Sequence, residues 1–299
     1  MVNSFASSVT ARNTVVVHQE LSRHHTVEVV ETHRRGHATR IAQDAARRGA
    51  DVVVAYGGDG TLNEVATGIA GTATALGVLP GGSTNVFART LGMPNDPVKA
   101  VRHLVAGLDV ADIRPIGLGM ANGRYFCFHT GIGFDAAVVD KVEQYASLKR
   151  WMGHPLFIWA ALSTWLRRYD RRHPHFELQL PDGTVVKDGY FTVVLNTNPY
   201  TFLGNRPIDL SPAATLERGL VAVTFRTMAA HSILTSLASA LKGGGMKPAS
   251  YLHEATDLSE LTIESKGGVP YQLDGDYLGK VHQLRFEHRP DAVQLAFPR

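Results

Sequence analysis

The first third of the chain alternates short apolar runs with stretches of helical period. Val52 to Tyr56 is an uninterrupted, β-branched-rich apolar run, the pattern of a parallel strand buried on both faces, and it stops at Gly57-Gly58. Asp59 and Gly60 follow, and then Thr61, whose hydroxyl is a candidate cap for a helix carrying Leu62, Val65, Ala66 and Ile69 on one face. Glu64 falls in its first turn, where the macrodipole favours an acid. Ala75 to Leu79 repeats the device: an apolar strand ends in Pro80-Gly81-Gly82, with Ser83-Thr84-Asn85 before a helix through Phe87, Ala88 and Leu91 to Gly92. Helices are also expected over His37 to Arg48, with Ile41, Ala42, Ala45 and Ala46 inward and Gly49 as its stop, and over Val98 to Ala106. Val27 to Glu31 reads as a strand ending at Thr32, while Thr14 to Leu21 stays open between helix and strand. With two residues before Asn3, the first strand of such a sheet is expected to be cut short.

After Arg114-Pro115 the βα alternation gives way to strands. Ile116 to Gly119 and Tyr125 to Thr130 form a hairpin about Asn122-Gly123, and Phe176 to Leu180 and Val185 to Lys187 flank Pro181-Asp182-Gly183. Further strands are expected at Gly189 to Asn196, Leu220 to Arg226, Leu261 to Ser265, Tyr271 to Leu273, Gln283 to His288 and Val293 to Phe297. The pattern divides the chain into an α/β domain over 1–113, with 289–299 a candidate to rejoin it, and an antiparallel β domain over 114–288. Two helical regions interrupt the latter. One is Ser232 to Leu241. The other, Lys149 to Arg172, sets Lys149, Arg150, Arg167, Arg168, Arg171 and Arg172 around Leu156, Phe157, Ile158, Trp159, Leu162, Trp165 and Leu166. Aromatic anchors bordered by arginines suit peripheral contact with an anionic membrane, and a helix covering the sheet fits the same residues equally well.

Composition narrows this picture. A chain of 299 residues with 44% hydrophobic positions suffices for two cores, and a net charge of +3 argues against nucleic acid as a partner. The single Cys127 excludes an internal disulfide framework and fits a reducing cytoplasm. No apolar run has the roughly 18–20 residues that a spanning helix needs. The fourteen histidines show no ligand spacing.

The two glycine turns carry the candidate chemistry. Parallel strands joined by the intervening helix bring both turns to one edge, where free backbone N–H groups suit a phosphate gripped from two sides. Asp59 is out of place beside a phosphate unless a metal ion or a transferable proton lies between them, so the pattern points to metal-dependent phosphoryl transfer. The plainer alternative is a tight βα turn in which Asp59 caps a helix. The late LDGDYLG from Leu273, with Asp274 and Asp276 around a glycine, reads by itself as a good turn.

Taken together, GGDGTLNEVATGIAG from Gly57, LGVLPGGSTNVFARTLG from Leu76, TGIGFDA from Thr130 and LDGDYLG from Leu273 resemble, in order, four motifs of the diacylglycerol kinase catalytic family, which includes the sphingosine and ceramide kinases. The resemblance runs over nearly the whole chain. It implies a Rossmann-like ATP-binding α/β domain and an antiparallel β-sandwich lipid-binding domain with the site between them, the fold class shared with NAD kinase. It also implies transfer of the γ-phosphate of ATP, with Mg²⁺, to the hydroxyl of a lipid such as diacylglycerol. Asn3 and Ser7 lie where the family has a nucleotide-contacting loop, and Thr32 matches a threonine ending the second strand. Gly57, Gly58, Asp59, Gly60, Thr61, Leu62 and Asn63 match the principal phosphate loop, and Gly82, Ser83 and Asn85 belong to the second. Asp59, Asp274 and Asp276 stand at acidic catalytic positions, Asp59 also reaching the metal through ATP, and Asp112 matches an acid at the exit from the first domain. Ser4 and Ser7 replace a proline and a glycine of the family loop, Val86 stands where many members have aspartate, and Glu217-Arg218-Gly219 replaces an Asp-Asp-Gly that holds a structural magnesium in some members. No tightly held structural magnesium is therefore expected. An NAD kinase-like enzyme and a catalytically silent lipid or nucleotide binder are the alternatives, and a homodimer is compatible with the sequence.

Overall fold

The computed structural model describes residues 1–145, 154–167 and 169–299, and the chain forms two compact units, Met1–Leu118 with Pro290–Arg299, and Gly119–Arg289.

In the first unit, helix α1 (Ala11–Ser22) is capped by Thr10, whose hydroxyl accepts the Asn13 N–H, and it buries Val17 and Leu21 one turn apart. The 14–21 segment is thus helical. Helix α2 (His37–Arg47) has no capping side chain of its own. Glu64 supplies one from helix α3, accepting the N–H groups of Gly36 at 2.7 Å and Ala38 at 3.0 Å. Strand β1 (Val52–Gly57), helix α3 (Asp59–Ile69), strand β2 (Ala75–Pro80), the short helix α4 (Val86–Thr90) and helix α5 (Pro97–Asp109) follow. β1 and β2 pair in parallel from Val52 with Ala75 to Gly57 with Pro80, so both strands end at their glycine turns side by side. The expected strand over Val27–Glu31 does not form. Val2 bridges Glu31 on one side and Tyr56 on the other, so the 27–31 segment meets this partner only at its end, and a strand without a partner along its length has unpaired backbone groups. Beyond β2, Gln294 and Leu295 of the final strand pair in parallel with Ala75 and Leu76. Helix α5 passes so close to this strand that a Cβ at Gly107 would collide with the Phe297 carbonyl oxygen.

The second unit is built on antiparallel pairs. β3 (Ile113–Ala121) and β4 (Arg124–Phe126) form the hairpin about Asn122-Gly123, both at positive φ as a type I′ turn requires. β5 (His129–Gly133) leads into helix α6 (Phe134–Glu143), which the sequence reading missed, and α7 (His154–Arg167) packs on α6. β6 (Phe176–Gln179) and β7 (Val185–Gly189) are a hairpin. β8 (Phe191–Leu195), the short pair β9 (Thr201–Leu203) and β10 (Arg206–Ile208), β11 (Leu220–Phe225), helix α8 (Ala230–Lys242) and β12 (Leu252–Leu258) complete the middle of the chain. β13 (Glu260–Leu273) and β14 (Asp276–Ala296) are each one long strand where two short ones were expected. Register shifts between Glu264 and Val269 absorb the Lys266-Gly267-Gly268 interruption without ending the ladder. The hydrogen-bonded order β14-β13-β5-β8-β11-β12 runs through this unit. Phe126, Leu178, Val194, Ala222, Ile263 and Phe286 share one buried core, so strands from both ends of the order face one another across it as layers of a sandwich. Lys149, Arg150 and Arg168 of the basic segment lie outside the described residues, as do the side chains of Leu156, Phe157, Ile158 and Arg167.

Candidate active site

The first group of candidate residues lies at the ends of β1 and β2, where two glycine turns touch through their backbones. The Gly81 N–H donates to Gly57 O at 2.7 Å, a Cβ at Gly81 would stand 2.8 Å from Gly57 Cα, and one at Gly82 would stand 2.8 Å from Gly58 Cα. Side chains are excluded from this contact. Gly57 also faces Thr61, whose Cβ and Oγ1 a Gly57 Cβ would approach to 2.7 Å. Helix α3 begins at Asp59 with Gly58 as its N-cap, three residues before the Thr61 cap expected from the sequence. Thr61 is therefore in the first turn, buried, and its Oγ1 accepts from Asn3 Nδ2 at 2.9 Å. Leu62 makes the first bond of the helix, its N–H donating to Gly58 O at 3.1 Å, and its side chain is core.

Asp59 is half-buried and spans the two turns. Its Oδ2 accepts the Val86 N–H at 3.0 Å and its Oδ1 the Phe87 N–H at 3.3 Å, so it caps the helix that follows the second turn. Asn85, buried and at φ 51°, braces that turn from within. It accepts the Gly82 N–H at 2.7 Å and donates to Gly82 O at 2.9 Å and to Asn95 Oδ1 at 2.6 Å. Its side chain is spent on the loop and Ser83 is exposed beside it. The segment after Asn3 lies over both turns: the Ser8 N–H donates to Gly81 O at 2.8 Å and its hydroxyl to Gly82 O at 3.3 Å. Ser8, not singled out from the sequence, makes these contacts, while Ser7 is exposed. Thr32 is buried at the sheet edge, its N–H on Val2 O. Asp112 pairs with Arg299 at 2.8 Å and Arg114 at 3.1 Å.

The second group is in the other unit, at the β13–β14 turn. Asp274 and Gly275 both have positive φ, and Leu273 pairs with Asp276 across them. The turn is not bland. Asp274 is 8% exposed, and its carboxylate accepts three backbone N–H groups, from Cys127 at 2.6 Å, Phe128 at 3.0 Å and His129 at 3.1 Å. Asp276 is half-buried next to it. His129 is fully buried with Nδ1 unpartnered, and burial lowers its pKa to about 3, which keeps the imidazole neutral. Arg218 is exposed, and the N–H of Gly219 is held by Asp257 Oδ1.

The chain is a two-unit α/β protein, and a solved structure has a like fold. A putative diacylglycerol kinase from Bacillus anthracis superposes with a TM-score of 0.78 at 21% identity, covering 99% of this chain and 95% of that one. A model of the diacylglycerol kinase catalytic domain matches residues 1–116. A probable lipid kinase YegS-like of Pseudomonas putida is 31% identical over 274 residues, 91% of this chain and 85% of the relative. A diacylglycerol kinase of Bacillus subtilis is 45% identical over 101 residues, 33% of this chain and 32% of that one. The chain belongs to the lipid kinase family that carries the diacylglycerol kinase catalytic domain.

Proposed function

We propose that the chain transfers the γ-phosphate of ATP to the hydroxyl of a lipid such as diacylglycerol. What carries the reading is the first group of residues: two glycine turns in backbone contact at the carboxyl ends of adjacent parallel strands, with Asp59 bonded across them. The lipid oxygen forms a bond to the γ-phosphorus as the bond to the β-phosphate oxygen breaks, ADP leaves, and the hydroxyl proton passes to a carboxylate, for which Asp59, Asp274 and Asp276 are the candidates. Such a transition state needs positioning and charge neutralisation more than covalent help. Among the described residues no three acidic, histidine or cysteine side chains cluster as a metal cage. Magnesium would be carried by the nucleotide's phosphates, with Asp59 as the candidate protein ligand. When bound, the ion neutralises phosphate charge.

Contact with an anionic membrane surface belongs to the same proposal. Helix α7 exposes Trp159, Leu162 and Leu166, spaced along one side, and Arg171 and Arg172 follow it exposed. Among the described residues no helix is long and apolar enough to cross a membrane. Radiolabelled ATP with a panel of diacylglycerol, a sphingoid base and a polyprenol, each presented in anionic and in neutral vesicles, tests both parts. Label should move to at least one lipid, faster on anionic vesicles and less so as salt rises. No labelled lipid under any condition would reject the kinase reading, and equal rates on both vesicles at all salt concentrations would reject the surface.

The two late acids are expected to separate under mutation. Asp274→Asn should lose activity and also about 1–3 kcal/mol of stability, because an amide cannot accept all three N–H groups. Asp276→Asn should lose activity with a smaller loss of stability than Asp274→Asn. Thermal unfolding beside turnover checks this, and equal stability losses would refute it.

A further inference from the structure

A buried polar ring surrounds the Asp274–Gly275 turn. Asp135, in the TGIGFDA stretch, folds back over strand β5, and a Cβ at Gly131 would collide with its Oδ2. Oδ2 accepts from Gln272 Nε2 at 2.9 Å, and Oδ1 accepts the Tyr200 hydroxyl. Gln272, fully buried, turns its Oε1 to the Gly275 N–H at 2.7 Å. On the other side the Tyr200 ring lies 4.5 Å from that of His129, whose N–H is one of the three holding Asp274. The ring of contacts thus returns to the turn where it began. Burial raises the pKa values of both Asp135 and Tyr200, and no part of the phosphoryl transfer described above uses either.

We infer that Asp135 is a positioning residue for this site: acting through Gln272, it holds the turn that carries Asp274 and Asp276 in its working conformation. The chemistry is one of donor direction. Gln272 must donate at one end and accept at the other, and a carboxylate, which only accepts, orients it so that its oxygen meets Gly275. An amide at 135 removes that instruction. Asparagine can keep its oxygen on Gln272 only by turning its NH₂ to the Tyr200 oxygen, which ends that hydroxyl's donation. Otherwise its NH₂ meets the NH₂ of Gln272, or Gln272 turns over and meets the Gly275 N–H with a donor.

The inference rests on the kinase reading, and the test separates the two by including a measurement that needs no turnover. In Asp135→Asn the Gly275 amide should exchange with solvent about tenfold faster, as expected when a local bond to the turn is lost. With an accepted lipid, kcat should fall by about 10²-fold, the effect of misplacing a reacting group by about 1 Å, at nearly unchanged KM for ATP. The double variant Asp135→Asn/Gln272→Glu should restore both, since the new amide donates to the new carboxylate, whose other oxygen accepts from Gly275. Unchanged exchange in the single variant, or a folded double variant no better than the single, would overturn the inference. Gly275 exchange decides it even if no lipid is phosphorylated, an outcome that counts against the kinase reading instead.

Discussion

Asp59→Asn is expected to lower phosphoryl transfer by at least a factor of about 10²–10⁴, the usual loss when a general base or a metal-linked charge is removed. Two properties of the site make the effect large. The carboxylate is the acid that bridges the two glycine turns, with one oxygen on the Val86 N–H and the other on the Phe87 N–H. Asparagine keeps one acceptor and turns a donor toward the other amide, so it removes the charge and also loosens the join between the turns. Its structural cost should be that of losing a helix cap, about 1 kcal/mol, because the glycine contacts and the Asn3–Thr61 hydrogen bond remain. The check is kcat beside the melting temperature with any lipid the wild type accepts. Near wild-type turnover would remove Asp59 from the mechanism.

Gly81→Ala is expected to damage both stability and activity. The added methyl would sit 2.8 Å from Gly57 Cα and from Val9 Cγ2, and 2.9 Å from Gly57 N. Two of these atoms are backbone and cannot rotate away, so the turns must separate. Overpacking of this kind costs about 1–3 kcal/mol. If these amides hold the phosphates as proposed, displacing them by about 1 Å should cost a further factor of about 10² in kcat. Gly267→Ala is the control, since nothing lies within 4 Å of its added Cβ and its φ is not in the left-handed region. Equal behaviour of the two variants in thermal unfolding and turnover would show that the close approach of the turns is immaterial.

Much of this architecture was legible because its signals are local. A buried parallel strand is a continuous apolar run, its end is marked by glycine, and the helix after it shows its own period, so Val52 to Ile69 can be read within a window of about twenty residues. Asn122-Gly123 was legible for the same reason. What escaped depends on partners distant in sequence. Glu64 looks like a first-turn acid of its own helix, yet it caps α2. Asp59 could be foreseen as an odd carboxylate in a glycine turn, but not as the cap of a helix that starts at Val86. The anchoring of Asp274 is set by amides of residues 127–129, and nothing in LDGDYLG records them. Lys266-Gly267-Gly268 and Arg289-Pro290-Asp291 were read as breaks because glycine and proline usually end strands. Neighbouring ladders carry both strands through. Asp135 went unmarked because its partners, Gln272 and Tyr200, are distant in sequence.

The parallel sheet of the first unit closes with residues from the far end of the chain. Gln294 and Leu295 cover the free edge of β2, the Gly71 N–H donates to Ala292 O, and Arg299 reaches Asp112. Proteins are made from the N-terminus, and domains tend to fold as units when their residues have emerged. Here that order is broken: a nascent chain that has delivered the glycine turns still has β2 as an open edge while the whole second unit is synthesised. During that interval the edge of β2 can pair with another chain, a known route to aggregation. The second unit, continuous from Gly119 to Arg289, is under no such constraint, so the later part of the chain is free to fold first and the earlier part must wait for its last strand.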